Sequence, residues 1–168
     1  MPKAIHLLLV ILICFTLPTP ASAAGNRPAD IWNFYHFDGI AFASGPAVDG
    51  TAFLAIKGKF LPVVLTAQTA PIEQTALPDG AGAITGICYI QSSGGKLGGG
   101  SGFKPYPRLP LLISSEGKEF VTVQTDNNGY FVVVLPAGVY SVGSGPSITV
   151  ERDITTLVPL RVGKRMVD

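Results

Sequence analysis

The sequence predicts an all-β fold, a two-sheet sandwich carrying an additional β-rich N-terminal segment, and three observations predict it. From Thr125 to Val142 the chain reads turn, strand, turn, strand. Asn128-Gly129 supplies the positive-φ positions of a tight reversal, and Pro136-Ala137-Gly138 reverses the chain again between β-branched and aromatic runs. Short apolar runs punctuated by Gly, Pro and Asp recur through the rest of the chain. No segment carries the 3.6-residue apolar period of a long amphipathic helix, so coiled-coil and Rossmann organisations are excluded.

The elements follow in order. Lys3, the apolar run from Leu7 to Leu17 and the small-residue pattern Ala21-Ser22-Ala23 predict a signal peptide over residues 1–23, cleaved after Ala23. Pro18 and Pro20 interrupt a run already short of the ~20 residues a spanning helix needs, so no membrane anchor is expected. Lipidation at Cys14 is disfavoured, because Ile13 stands where a small residue would be required. Residues 24–80 are expected to form an N-terminal β-rich segment and linker. It opens with an irregular stretch to Asp30, continues into the aromatic block from Ile31 to Asp38, and then gives short apolar runs at 40–43, 51–56 and 62–67. A small sheet or an added hairpin explains these runs. Residues 69–82 carry Pro71, Pro78, Gly80 and Gly82 with little periodicity and read as a linker.

Residues 81–168 are expected to form the sandwich, with strands near 84–91, 109–114, 119–125, 130–135, 138–142, 148–151 and 157–162. The continuous run from Phe131 to Leu135 reads as a central strand. In the 119–125 strand Val121 and Val123 alternate with Phe120 and Thr122, so both faces are expected to be partly covered. Within the first strand, period-two alternation sets Cys88 on one face with Ile84 and Ile90, which predicts a buried, inert thiol.

Composition removes several functional classes. Loss of the leader takes away Lys3, one of 12 Lys and Arg residues, and leaves 11 cations against 11 Asp and Glu, so nucleic acid is not an expected partner. The basic group Arg161, Lys164 and Arg165 reads as a solvated chain end. Cys88 is the single cysteine after the leader, which rules out an intramolecular disulfide even in an oxidising compartment. His36 is the single remaining histidine, so a histidine-rich metal site cannot be assembled within one chain. The acidic turn at Asp126 offers too few oxygens for calcium, and Gly95-Lys96 is followed by Leu97, not by the Ser or Thr of a phosphate loop. No catalytic residue, cofactor or metal is assigned.

The order Ile84-x-Gly86-x-Cys88-x-Ile90, Pro110-Leu111-Leu112-Ile113, Val123-x-Thr125-Asp126-x-Asn128-Gly129-x-Phe131 and Leu135-Pro136-Ala137-Gly138-Val139-Tyr140 resembles the carboxypeptidase regulatory-like domain. The resemblance covers residues 81–168. It implies a Greek-key, prealbumin-like and transthyretin-related sandwich with an Ig-like layout, and a non-catalytic accessory role. The chain departs from that pattern at residues 92–107, a Gly-rich insertion between the first two strands.

The insertion offers Lys96, Phe103, Lys104 and Tyr106, followed by Arg108, as an adaptable binding edge; its plainer reading is a tolerated surface loop. In the aromatic block Trp32 and Tyr35 can stack on sugar rings, join the core, or belong to a segment that adds a strand to a neighbouring sheet edge. The expectation is a secreted or periplasmic, non-catalytic β-sandwich that serves as a binding or structural component of an envelope or surface assembly, with an envelope or surface protein as partner and self-association as a further expectation. The alternative is a carbohydrate-binding module with a glycan partner held by exposed aromatics.

Overall fold

The computed structural model describes residues 31–91 and 102–163. The leader with Cys14, residues 24–30, Lys96, Lys164 and Arg165 lie outside the described residues. Among the described residues there are twelve strands and no helix, hence none long and apolar enough to cross a membrane.

The N-terminal strands β1 (Asn33–Phe37), β2 (Phe42–Ser44), β3 (Phe53–Ile56) and β4 (Val63–Leu65) form an antiparallel sheet in the order β2-β1-β3-β4. The small-sheet expectation therefore holds, and β1 is paired on both edges. Within the described residues strand β1 of the aromatic block therefore has no free edge, and the edges of this sheet belong to β2 and β4.

The sandwich consists of two further sheets. The central one is built on β5 (Ala81–Gln91), paired on one side with β12 (Thr155–Arg161) and on the other with β9 (Tyr130–Pro136) over residues 81–87 and with the short β6 (Phe103–Pro105) over residues 89–91. The outer one runs β11 (Ser147–Val150), β10 (Gly138–Val142), β7 (Pro110–Ser115), β8 (Lys118–Gln124). All seven expected strands of residues 81–168 are present within a few residues of their expected limits. The eighth, β6, lies in what reads as a loop, because three residues between Gly and Pro carry no period.

Strand β5 is the hinge of the architecture, and its first nine residues are buried. Ile84 and Cys88 face the outer sheet and pack with Ile113, Phe131, Leu135, Val142 and Val150. Ile87 and Tyr89 face the other way and pack with Phe37, Leu54 and Tyr130 against the N-terminal sheet. The central sheet is thus the middle of three layers, and the N-terminal sheet and the sandwich share one apolar interface. A strand covered on both faces reads as a continuous apolar run.

β5 also explains its own small residues. A Cβ on Gly86 would collide with the Val158 carbonyl of β12 and approach the Phe131 ring, and one on Gly82 would collide with the Glu151 carbonyl. Close parallel pairing of β5 with β12 therefore requires glycine at 86, and the close passage of residues 151–154 requires it at 82. Thr85, fully buried between them, donates its hydroxyl to the Phe131 carbonyl at 2.8 Å.

Three expectations need correction. β9 pairs with β5 alone among the described residues, so it is an edge strand, not a central one. Its run is apolar because both faces are partly covered: Phe131, Val133 and Leu135 lie in the sandwich core and Tyr130 in the interface with the N-terminal sheet. In β8, Val121 and Val123 are half-buried while Phe120, Thr122 and Gln124 are exposed, so one face is covered. Residues 69–82 are no free tether: Ala70 and Ile72 pack over the outer face of the N-terminal sheet, Leu61 donates to Thr75, and Leu77 donates to Lys59.

Candidate functional site

The candidate residues of the insertion come down on one end of the sandwich, where a buried threonine fixes the local backbone. Thr125, 2 % exposed, donates its hydroxyl to the Tyr106 carbonyl at 2.9 Å and accepts from the Leu109 N–H at 2.8 Å. Tyr106 in turn donates its N–H to the Cys88 carbonyl at 2.8 Å. The following turn is built by Asp126, whose Oδ1 accepts from the N–H groups of Asn128 and Tyr130, each at 2.8 Å. Gly129 stands at φ +78°, with the Cys88 carbonyl and Tyr106 N–H so near that a side chain would not fit. Asn128-Gly129 does supply a reversal, although only Gly129 of the two takes positive φ.

This scaffold separates the candidates. Tyr106 is half-buried against the sandwich core, and Arg108, exposed and at φ 55°, donates Nε to the Asn127 side chain at 3.3 Å. The two share a shallow hollow of about 490 Å³ with Leu109, Pro110 and Val162. It adjoins a second hollow of about 410 Å³ bordered by Leu111, Val142, Pro146, Leu160 and Arg161, with Cys88 at its floor. Sequence reasoning did not find this pair of hollows, since their walls come from four separate segments and no local pattern marks them.

Phe103 points elsewhere. Its ring meets Phe37 edge-on at 4.8 Å between centroids and Tyr89 at 6.2 Å, which places it in the interface with the N-terminal sheet, while Lys104 beside it is exposed. Trp32 is half-buried against Phe60 at 6.3 Å on the outer face of the N-terminal sheet, and Tyr35 is half-buried on its inner face. The four candidate aromatics therefore lie on three different surfaces and are each engaged in packing; they form no shared platform.

The reactive residue types are held in structural roles. His36 Nδ1 lies 3.0 Å from the Gly45 carbonyl. Asp38 instead accepts from the N–H groups of Ala41 at 2.9 Å and Ile40 at 2.8 Å, and these bonds hold its carboxyl below the usual value of 3.8. Cys88 is fully buried, and desolvation pushes its thiol up to about 12, far from the thiolate that reactivity needs. Tyr130, 3 % exposed, donates its hydroxyl to the Ala52 carbonyl at 3.0 Å across the interface between sheets, and burial raises its phenol to about 12. Among the described residues no three of His, Cys, Asp and Glu converge on a point where a metal ion would sit.

No family model matches the chain, and no curated protein does. Among solved structures, that of GBS52, the minor pilin of the Gram-positive pathogen Streptococcus agalactiae, is similar over 76 % of this chain and 67 % of that one, at 14 % identity and a TM-score of 0.36. That level of likeness carries no argument about activity. The fold class rests on the strands themselves: an all-β protein in which a β-sandwich bears a third, N-terminal sheet.

Proposed function

We propose that the chain is an exported, non-catalytic scaffold that acts as a binding or structural component of an envelope or surface assembly. One observation carries the reading: among the described residues every buried side-chain nitrogen and oxygen has a hydrogen-bond partner. Thr85, Thr125 and Tyr130 are committed to backbone carbonyls that tie sheets and turns together. A catalytic centre needs polar groups that converge on a cleft and remain available to substrate. Here they are spent on rigidity, which suits a part whose work is done at its surface.

The carboxypeptidase regulatory-like assignment of residues 81–168 belongs to this proposal, and the structural roles of its motif support it. Thr125 anchors the chain before the turn, Asp126 and Gly129 form the turn, and Phe131 enters the core. Tyr140 closes the next reversal by donating to the Pro136 carbonyl at 3.1 Å. The motif residues thus have local structural roles in turns and core. The glycan alternative has no comparable support, because Trp32, Tyr35, Phe103 and Tyr106 are drawn into packing.

The test is made in cells. An epitope-tagged chain with its leader is expressed in a host that exports it, the envelope is cross-linked, and the tagged species are sized after fractionation. The reading expects envelope fractions and discrete high-mass cross-linked species. A chain retained in the cytoplasm, or one that remains a single uncross-linked species at the surface, overturns it.

A further inference from the structure

The deepest clue to a partner lies in the backbone of β9. The Cys88 N–H donates to the Gly129 carbonyl at 2.8 Å, and with the β5–β9 register this sets the alternation of an antiparallel ladder. Residues 129, 131, 133 and 135 spend their backbone groups on β5, and residues 130, 132 and 134 direct theirs outward. Tyr130 is satisfied by Asp126, whose side chain accepts its N–H at 2.8 Å and whose own N–H donates to its carbonyl at 2.7 Å. Pro136 has no N–H. What faces outward is therefore the N–H and C=O of Val132 and of Val134, and no strand among the described residues takes them.

Among the described residues the other edge strands each carry a protection. On β12, Ala83 donating to Ile154 and Val162 donating to Tyr89 fix the parallel alternation, so residues 155, 157, 159 and 161 face outward, and of these 159 is proline and 161 is arginine. β8 carries Lys118 and Glu119 and a register break opposite Ile113/Ser114. β11 has four residues, and β2, β4 and β6 have three each. Short strands, charge, proline and bulges are the usual protections of an edge against strand addition. The seven-residue β9 has no charged residue anywhere along it, and Val132 and Val134 are only half-buried.

We propose that β9 is a self-association edge, taken by β9 of a second copy of this chain. In the antiparallel register with Val133 on the twofold axis, Val132 stands opposite Val134 of the second copy. All eight outward groups of the two strands are then matched in four hydrogen bonds. The ladder is bounded at both ends by features already present, Pro136 on one side and the Asp126 side chain on the other, so no other register uses all of them. An isologous contact also faces each strand with its own sequence, and an uncharged strand is the kind that tolerates this without like charges meeting. A hollow of about 270 Å³ formed by Pro78–Ala81 and Val134–Pro136 opens beside the same edge and leaves room for a neighbour.

This inference deepens the assembly reading and rests on it. The exported chain, as processed by its host, is measured by light scattering across a concentration series. A dimer is expected that dissociates on dilution, with Val134→Lys shifting the midpoint by about tenfold or more, since lysine guards an edge strand. Circular dichroism melting of Val134→Lys checks that the fold survives, and Val132→Pro, which removes one outward N–H, gives a second variant. Register is read by oxidation: Val132→Cys and Val134→Cys chains form a disulfide with each other when mixed, and neither forms one alone, with Cys88 buried. A parent chain that stays monomeric throughout overturns the proposal, as does a dimer unaffected by both edge variants or a disulfide in either cysteine variant alone. None of these results overturns the assembly reading, which stands or falls on cross-linking at the envelope.

Discussion

Removing residues before Ala81 tests whether the N-terminal sheet is a structural part of the sandwich or an appendage to it. The sheet covers Ile87, Tyr89 and Tyr130, which are 1 %, 6 % and 3 % exposed. Each such side chain returned to water costs about 1.5–3 kcal/mol, so the three together cost roughly 5–9 kcal/mol. Loss of the Tyr130–Ala52 hydrogen bond adds about 0.5–1.5 kcal/mol. Total stability of a domain is typically about 5–15 kcal/mol, so most of it is at stake. The assay compares residues 24–168 with residues 81–168 by urea unfolding monitored with circular dichroism and by light scattering. The shorter chain is expected to lose its cooperative transition or to associate through the uncovered face of β5. A monomeric 81–168 chain that unfolds cooperatively at nearly the same urea concentration would refute the shared-core argument.

Tyr130→Phe leaves the buried Ala52 carbonyl without its donor, and a loss of about 1–3 kcal/mol is expected in the urea midpoint. Because the folded phenol titrates at about 12 against an ordinary 10.0, its contribution is complete below pH 10 and is lost as pH rises from there through 12; the Phe variant should lack that part of the alkaline destabilisation. Gly86→Ala places a methyl against the Val158 carbonyl and should cost about 1–3 kcal/mol or more by pushing β12 from β5, whereas Gly117→Ala, with open space around it at φ +75°, should cost less. Cys88 should resist a thiol reagent at pH 8 in the folded chain and react at once in urea; rapid labelling of the native state would show that the strand is not buried as described.

The strands of the sandwich were legible because their signals are local: Gly129 with Asp126 marks one reversal, Pro136 to Gly138 the next, and β-branched runs lie between. What was not legible depended on neighbours distant in sequence. Ala81-Gly82-Ala83 carries little β signal, yet it is strand because β9 and β12 both need a close approach there. Phe131 to Leu135 looks central because apolar runs report covered faces and say nothing about paired edges; only the register with β5 shows that one edge is open. The site candidates failed to assemble for a related reason. Phe103 and Tyr106 are close in sequence, but β6 turns one into the interface between sheets and Thr125 holds the other at the sandwich end.

The β12 and β9 edges of the central sheet differ in character, and the chain order explains why both are tolerated. β12 pairs with β5 over the longest sequence separation among the described strands, Thr155 with Ala83 through Arg161 with Tyr89, so of these strands it is the last to emerge from synthesis. Until then one side of β5 is unpaired, and a strand able to recruit two partners would bridge copies before the fold closed. Pro159 and Arg161 oppose this on the outward edge of β12, the inward edge being the one β5 takes. β9 is different, because its inward edge pairs with β5 and its outward groups are restricted to Val132 and Val134 by Asp126 and Pro136. An edge that short closes on a single partner and cannot propagate, which is the behaviour expected of a self-limiting contact and not of an aggregation front.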